Sequence, residues 1–279
     1  MAAMKSWPPF AFAVLVALAC ASYASFGATP ADPATSVYLE DLTSPELAAR
    51  LAGGDTTVIV PIGGTEQSGP YIALGKHNAR VRVLAGTIAR QLGHAVVAPV
   101  VAYVPEGAIY PPTEHMKYTG TLSIPVAAFE GLLEGTARSL RQHGFRDIVF
   151  IGDHGGYQSS LVRVATRLNR EWVTDSRTRV HAPVAYYRTA QAEYDRELMD
   201  RGLSSAQIGQ HAGVADTSLS MALDPGSVRA DALSRAPAPK PGDGLNGDPR
   251  RSSAAFGELG AKIIVEQTVA AIRIAIKSH

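Results

Sequence analysis

The sequence predicts an α/β protein: a three-layer α/β/α sandwich around a mostly parallel central sheet. Three observations carry that expectation. Short β-branched runs alternate with helical stretches of ten or more residues along the chain. Two of those runs, TVIVPI at 57–62 and DIVFIG at 147–152, are apolar on both faces, as strands covered on both sides must be. Each ends in glycine followed by polar groups, which is how parallel sheets deliver side chains to their carboxyl ends.

The elements follow in order. Leu42–Leu51 reads as a helix opened by Thr43-Ser44-Pro45, a capping residue with proline in the first turn. Thr57–Ile62 is a strand. Ala79–Leu92 has helical periodicity and stops at Gly93. Ala95–Val104 is a strand, Val126–His143 a helix ending at Gly144, and Asp147–Gly152 a buried strand. Gln158–Glu171 is a helix. Val180–Tyr187 is a strand, with a helix after it through about Arg201. Another helix starts over Asp216–Ala222. Arg235–Asp248 is a long Pro/Gly loop, and Glu258–Lys277 an amphipathic final helix.

Domain organisation comes from composition. In 279 residues, 46% hydrophobic, there is ample material for one large core. Lys5 precedes an apolar run, Phe10–Ala21, then small residues; this reads as a signal peptide over residues 1–28, too short to span a membrane. Residues 29–38 are a linker, and residues 39–279 form the folded domain. The expected location is exported, periplasmic or secreted. The sole cysteine, Cys20, ends ALAC, a weak lipoprotein-like box, so membrane attachment is expected only through lipidation there. With simple cleavage the mature chain holds no cysteine, so its core and not disulfides stabilises it. Net charge of +1 and 18% charged residues give no basic footprint for nucleic acid.

The chemistry-bearing residues cluster after strands. Glu66 follows the first strand and is either a ligand or base, or a cap for the next helix. His77 is eleven residues on, in what reads as a loop. His154 sits in Asp153-His154-Gly155-Gly156, where paired glycines permit a tight turn or close approach of a ligand. His211 precedes Asp216, which is either a helix cap or an orienting partner that makes His211 a general acid/base. His115 and Tyr118, in EHMKYTGT, either line a pocket or sit on a surface loop. One carboxylate and several imidazoles at strand ends point to a divalent metal. No P-loop or GxSxG motif occurs, and Ser68 in EQSGP is in no nucleophile elbow.

Five segments together resemble the creatininase (creatinine amidohydrolase) family: VPIGGTEQSGP, HMKYTGTLSIP, DIVFIGDHGGYQ, HAGVADTSLSMALDPGSVR and GDGLNGDPRRSSAAFGELGAKI. Their order and spacing agree from about Leu39 onward. The resemblance implies a three-layer fold, often hexameric, and a two-metal site for opening C–N bonds of cyclic or formyl amides in small molecules. Carried over by position, it implies Glu66, His77 and His154 as metal ligands and His211 with Asp216 as catalytic pair. Ser68, Tyr71, His115, Tyr118 and Asp153 fall around the pocket. The chain departs from the family pattern where Ser68 replaces a histidine ligand, His77 a bridging aspartate, and Val214 and Asp216 two glutamates. A neutral imidazole has one lone pair for a metal and does not bridge two ions as a carboxylate does. The expectation is therefore one zinc, with manganese or iron as alternatives, and a net site charge of about +1 that still favours metal-bound hydroxide. Two other readings stand beside it: a catalytically degenerate binding relative, and a mononuclear iron oxygenase built on two histidines and a carboxylate.

Overall fold

In the computed structural model, residues 35–175 and 177–277 are described; the expected signal peptide and residues 29–34 of the linker lie outside them. The central sheet comprises β1 (Thr57–Ile62), β2 (Ala95–Val97), β3 (Asp147–Gly152) and β4 (Arg179–His181). Its order is β2-β1-β3-β4, with every pairing parallel. Along β1 and β3 successive residues alternate between two cores. Val58, Val60, Ile148 and Phe150 face one; Ile59, Val149 and Ile151 face the other. Both faces are dry, so the continuous apolar runs are explained.

One face is covered by α3 (Val126–Gln142) and α4 (Gln158–Glu171), through Phe129, Leu133, Leu161 and Val164. The other carries α2 (Lys76–Leu92), α8 (Val214–Leu223) and the long α10 (Ala254–Lys277). The remaining helices are α1 (Ser44–Ala52), α5 (Ala185–Gln191), α6 (Glu193–Asp200), α7 (Ser205–Ile208) and α9 (Ala230–Ser234). The three-layer α/β/α expectation is met.

Among the boundaries that differ from the sequence reading, three have a clear local reason. β2 stops at Val97 because Pro99 has no N–H for the ladder. The chain stays close enough for Val101 N–H to reach the Pro61 carbonyl at 2.9 Å. β4 ends at His181, before Pro183, and a helix starts at Ala185. α2 begins at Lys76, three residues early, because Gly75 precedes it and supplies no capping side chain to mark the start. His77 therefore lies in the first turn of a helix and not in a loop.

The topology also fixes the site. The helix after β1 packs on one face and the helix after β3 on the other. Neighbouring parallel strands whose connections leave in opposite directions open a crevice at their carboxyl ends.

Candidate functional site

Glu66 sits at the floor of that crevice, fully buried. Its loop leaves β1 through Gly63 and Gly64 and is pinned by Glu66 N–H donating to the Leu74 carbonyl at 3.0 Å. Tyr157 ties the two strand ends together. Its hydroxyl donates toward the Ile62 and Gly63 carbonyls, 2.8 and 2.6 Å away, and accepts from His154 N–H at 3.1 Å.

Five cationic or imidazole groups surround Glu66. His77 Nε2 lies 2.7 Å and Lys76 Nζ 3.4 Å from Oε1. His211 Nδ1 also faces Oε1, at 3.5 Å. His115 Nε2 and His154 Nε2 face Oε2 at 3.2 and 3.5 Å. Burial alone would push this carboxyl up; Lys76 and His77 outweigh it and hold it well below the usual range.

A buried ionic network stands behind Glu66. Arg80, one turn after Lys76 on α2, donates to Asp153 through Nε and Nη2, at 2.9 and 2.6 Å, and to Asp216 at 2.6 Å. Lys76 also reaches Asp216, at 2.9 Å. Asp153 further accepts from the Tyr186 hydroxyl at 2.8 Å. Burial works against ionising Asp216, but Lys76 and Arg80 overcome it and set its carboxyl well below the ordinary value.

His77 spans Glu66 and Asp153, its Nδ1 lying 2.6 Å from Asp153 Oδ2. It joins neither of the two groups whose ligand atoms come within reach of one ion. Those are Glu66 with His115 and His211, and Glu66 with Glu106 and His154. Glu106 was not singled out by the sequence, nor were Lys76, Arg80 and Gln67. Asp216 reads from sequence as either a helix cap or a residue orienting His211 or the water. It accepts the Ala212 N–H at 2.8 Å, one residue from His211, as a cap of the turn before α8 does. Ala212 itself has a positive φ of 53°, strain located beside the candidate proton carrier.

Gln67 holds two of the imidazoles. His211 Nε2 lies 2.9 Å from the Gln67 carbonyl and 3.1 Å from its side-chain amide nitrogen, which leaves Nδ1 facing Glu66. The Gln67 side-chain oxygen accepts from Gly69 N–H, so its amide nitrogen faces His115 Nδ1 at 3.3 Å. Burial, helped by Lys76, lowers His211 to about 4, and burial lowers His154 to about 3. Both rings are neutral at pH 7.

Above these groups is a cavity of about 490 Å³, ordinary for a small ligand. His115, Tyr118, Asp153, His154 and His211 line it, as does Asn246 of the Pro/Gly loop, whose backbone pairs with that of His211. Ser68 and Tyr71 are not among its lining residues. Ser68 is fully buried, with its hydroxyl unpartnered among the described residues.

Comparison with known proteins follows this geometry. A family model, creatininase (creatinine amidohydrolase), matches residues 40–272. The mycofactocin precursor peptide peptidase of Mycolicibacterium smegmatis is 40% identical over 119 residues, 41% of this chain and 45% of that protein. The chain thus spans about half the length of the peptidase relatives it matches. Creatinine amidohydrolase of Pseudomonas putida is 26% identical over 265 residues, 85% of this chain and 96% of that one. Among solved structures, a creatinine amidohydrolase superposes with TM-score 0.70 at 25% identity, over 85% and 97% of the two chains. A manganese creatininase gives 0.69 at 26%, over 86% and 98%.

Proposed function

The chain belongs to the creatininase family, and on that premise we propose that it is a metal-dependent hydrolase opening a C–N bond of an amide, cyclic amide or formamide in a small molecule. One observation carries the reading. A fully buried carboxylate, Glu66, is ringed by imidazoles yet keeps one oxygen, Oε2, without a hydrogen-bond partner among the described residues. An unsatisfied buried carboxylate oxygen beside several imidazoles suits a divalent cation. Zinc, manganese and iron all fit that nitrogen and oxygen donor set.

Glu66 and His154 would hold the ion. When bound, it supplies Lewis acidity toward the scissile carbonyl and lowers the pKa of a bound water. The chain's own residues do the rest. His211, neutral at pH 7, takes a proton at Nδ1 and returns it to the leaving nitrogen. Gln67 fixes the ring through Nε2. Asp216 anchors the turn carrying His211, while Lys76 and Arg80 keep Asp216 ionised. Tyr118 and His115 wall the cavity and position the substrate.

A second reading, a ligand-binding relative without catalysis, is favoured by His77. Its two nitrogens both face carboxylates, so the ring is taken up by contacts within the network and not by an ion. Elemental analysis and an activity screen separate the two. A catalyst holds about one tightly bound ion per chain and hydrolyses some cyclic amide, formamide or short peptide. His154→Ala then removes metal and activity together. A purified chain free of metal and indifferent to added zinc or manganese refutes the enzyme. The N-terminal apolar segment supports export as part of the same proposal, and cell fractionation tests it.

A further inference from the structure

We propose that Glu106 is a metal ligand, completing with Glu66 and His154 a site of two carboxylates and one imidazole. The inference rests on the metal-dependent reading above and names a ligand that reading does not contain.

Glu106 lies in the Pro105-Glu106-Gly107 segment beyond β2, outside every regular element. Its backbone is fixed from both sides. Glu106 N–H donates to Ser123 Oγ at 3.0 Å, and that hydroxyl donates to the Gly107 carbonyl at 2.7 Å. The side chain is thereby turned inward, and the residue is only 2% exposed. Gly64, with φ 153°, makes room for it: a Cβ at that position would stand 2.4 Å from Glu106 Oε1. The glycine at the end of β1 therefore serves Glu106 as well as the turn.

Among the described residues, few contacts meet what has been buried. Both Glu106 oxygens and Glu66 Oε2 lack hydrogen-bond partners among the described residues. His154 Nδ1 approaches Glu106 Oε2 to 3.1 Å and is its one ion-pair contact among those residues. Lys76 and Arg80 are committed elsewhere, to Glu66, Asp153 and Asp216. Ligand atoms of Glu66, Glu106 and His154 all lie within 4.8 Å of one another. Two apposed carboxyl groups cannot both be buried ionised without added positive charge; a divalent cation between them and His154 supplies it. The competing group, Glu66 with His115 and His211, offers one carboxylate where this one offers two.

The test uses the purified chain, stripped with chelator, and its Glu106→Gln variant. Zinc and manganese are titrated by calorimetry, metal-free melting temperatures are measured, and visible spectra are recorded with cobalt(II). The expected result is affinity lowered at least tenfold and shifted cobalt bands in the variant, with an unchanged or raised metal-free melting temperature. Affinity and spectrum equal to the parent's overturn Glu106 as a ligand and leave the metal-dependent reading standing. A parent chain that binds none of the three ions overturns both. Weaker binding accompanied by a lower metal-free melting temperature assigns Glu106 a purely structural role and also overturns the proposal.

Discussion

Lys76→Met isolates the electrostatic support of the site. The Lys76 side chain is wholly buried, 2.9 Å from Asp216 and 3.4 Å from Glu66. Methionine keeps most of the apolar stem and deletes the charge. Removing one partner of a buried ion pair costs about 3–5 kcal/mol, because the other charge is left uncompensated. Here both carboxylates keep other partners. Asp216 retains Arg80 at 2.6 Å and the Ala212 N–H at 2.8 Å, and Glu66 retains His77 at 2.7 Å. The loss should therefore fall at the low end, about 3 kcal/mol. For a domain of this size that is roughly a 6–12 °C drop in melting temperature.

The pH dependence supplies a signature. Against the opposing effect of burial, Lys76 helps hold Asp216 and Glu66 below their unfolded values. A depressed carboxylate stabilises the fold above its unfolded pKa and loses that contribution as pH falls toward its folded one. The gap between parent and variant should be full at pH 7 and shrink markedly by pH 3. Urea unfolding at both pH values, in chelator, measures it. A loss under about 1 kcal/mol at pH 7, or an equal gap at pH 3, would refute the reasoning.

Three further outcomes are expected. His211→Gln should lower kcat by about 10²–10⁴ while leaving bound metal unchanged; loss of metal with activity would instead make His211 a ligand. The chelated chain should lose stability as pH falls from about 6.5 toward 4, because buried His154 and His211 stay neutral in the fold but protonate when unfolded; melting temperatures equal at pH 7.5 and 5.5 would contradict this. Gly257→Ala should destabilise by at least about 2 kcal/mol, since the new Cβ would meet the Ser218 carbonyl of α8 at 1.9 Å where α10 packs; an unchanged melting temperature would show that the two helices separate freely.

The sheet was legible because β1 and β3 are short, apolar on both faces and followed by glycine. His154 was legible as a site residue for the same reason: it follows such a strand. His77 was misplaced into a loop because Gly75 gives no capping signal for α2. Lys76 and Arg80 were passed over because charges on a helix normally face water, and these turn inward toward Asp216 and Asp153. Glu106 sits in an irregular stretch among proline and glycine, where periodicity says nothing. Its burial is set by Ser123 and Gly64, residues distant in sequence.

His77 carries a consequence for the charge balance of the site. An aspartate there, as the family resemblance implies for relatives, would set a third carboxylate between Glu66 and Asp153, which now lie 2.7 and 2.6 Å from the two ring nitrogens. Like charges that close cannot all remain ionised without a compensating cation. An aspartate at this one position would therefore draw further on the positive charge of Lys76 and Arg80, or on an added cation. Residue 77 thus ties the number of acids gathered in the site to the positive charge that must accompany them.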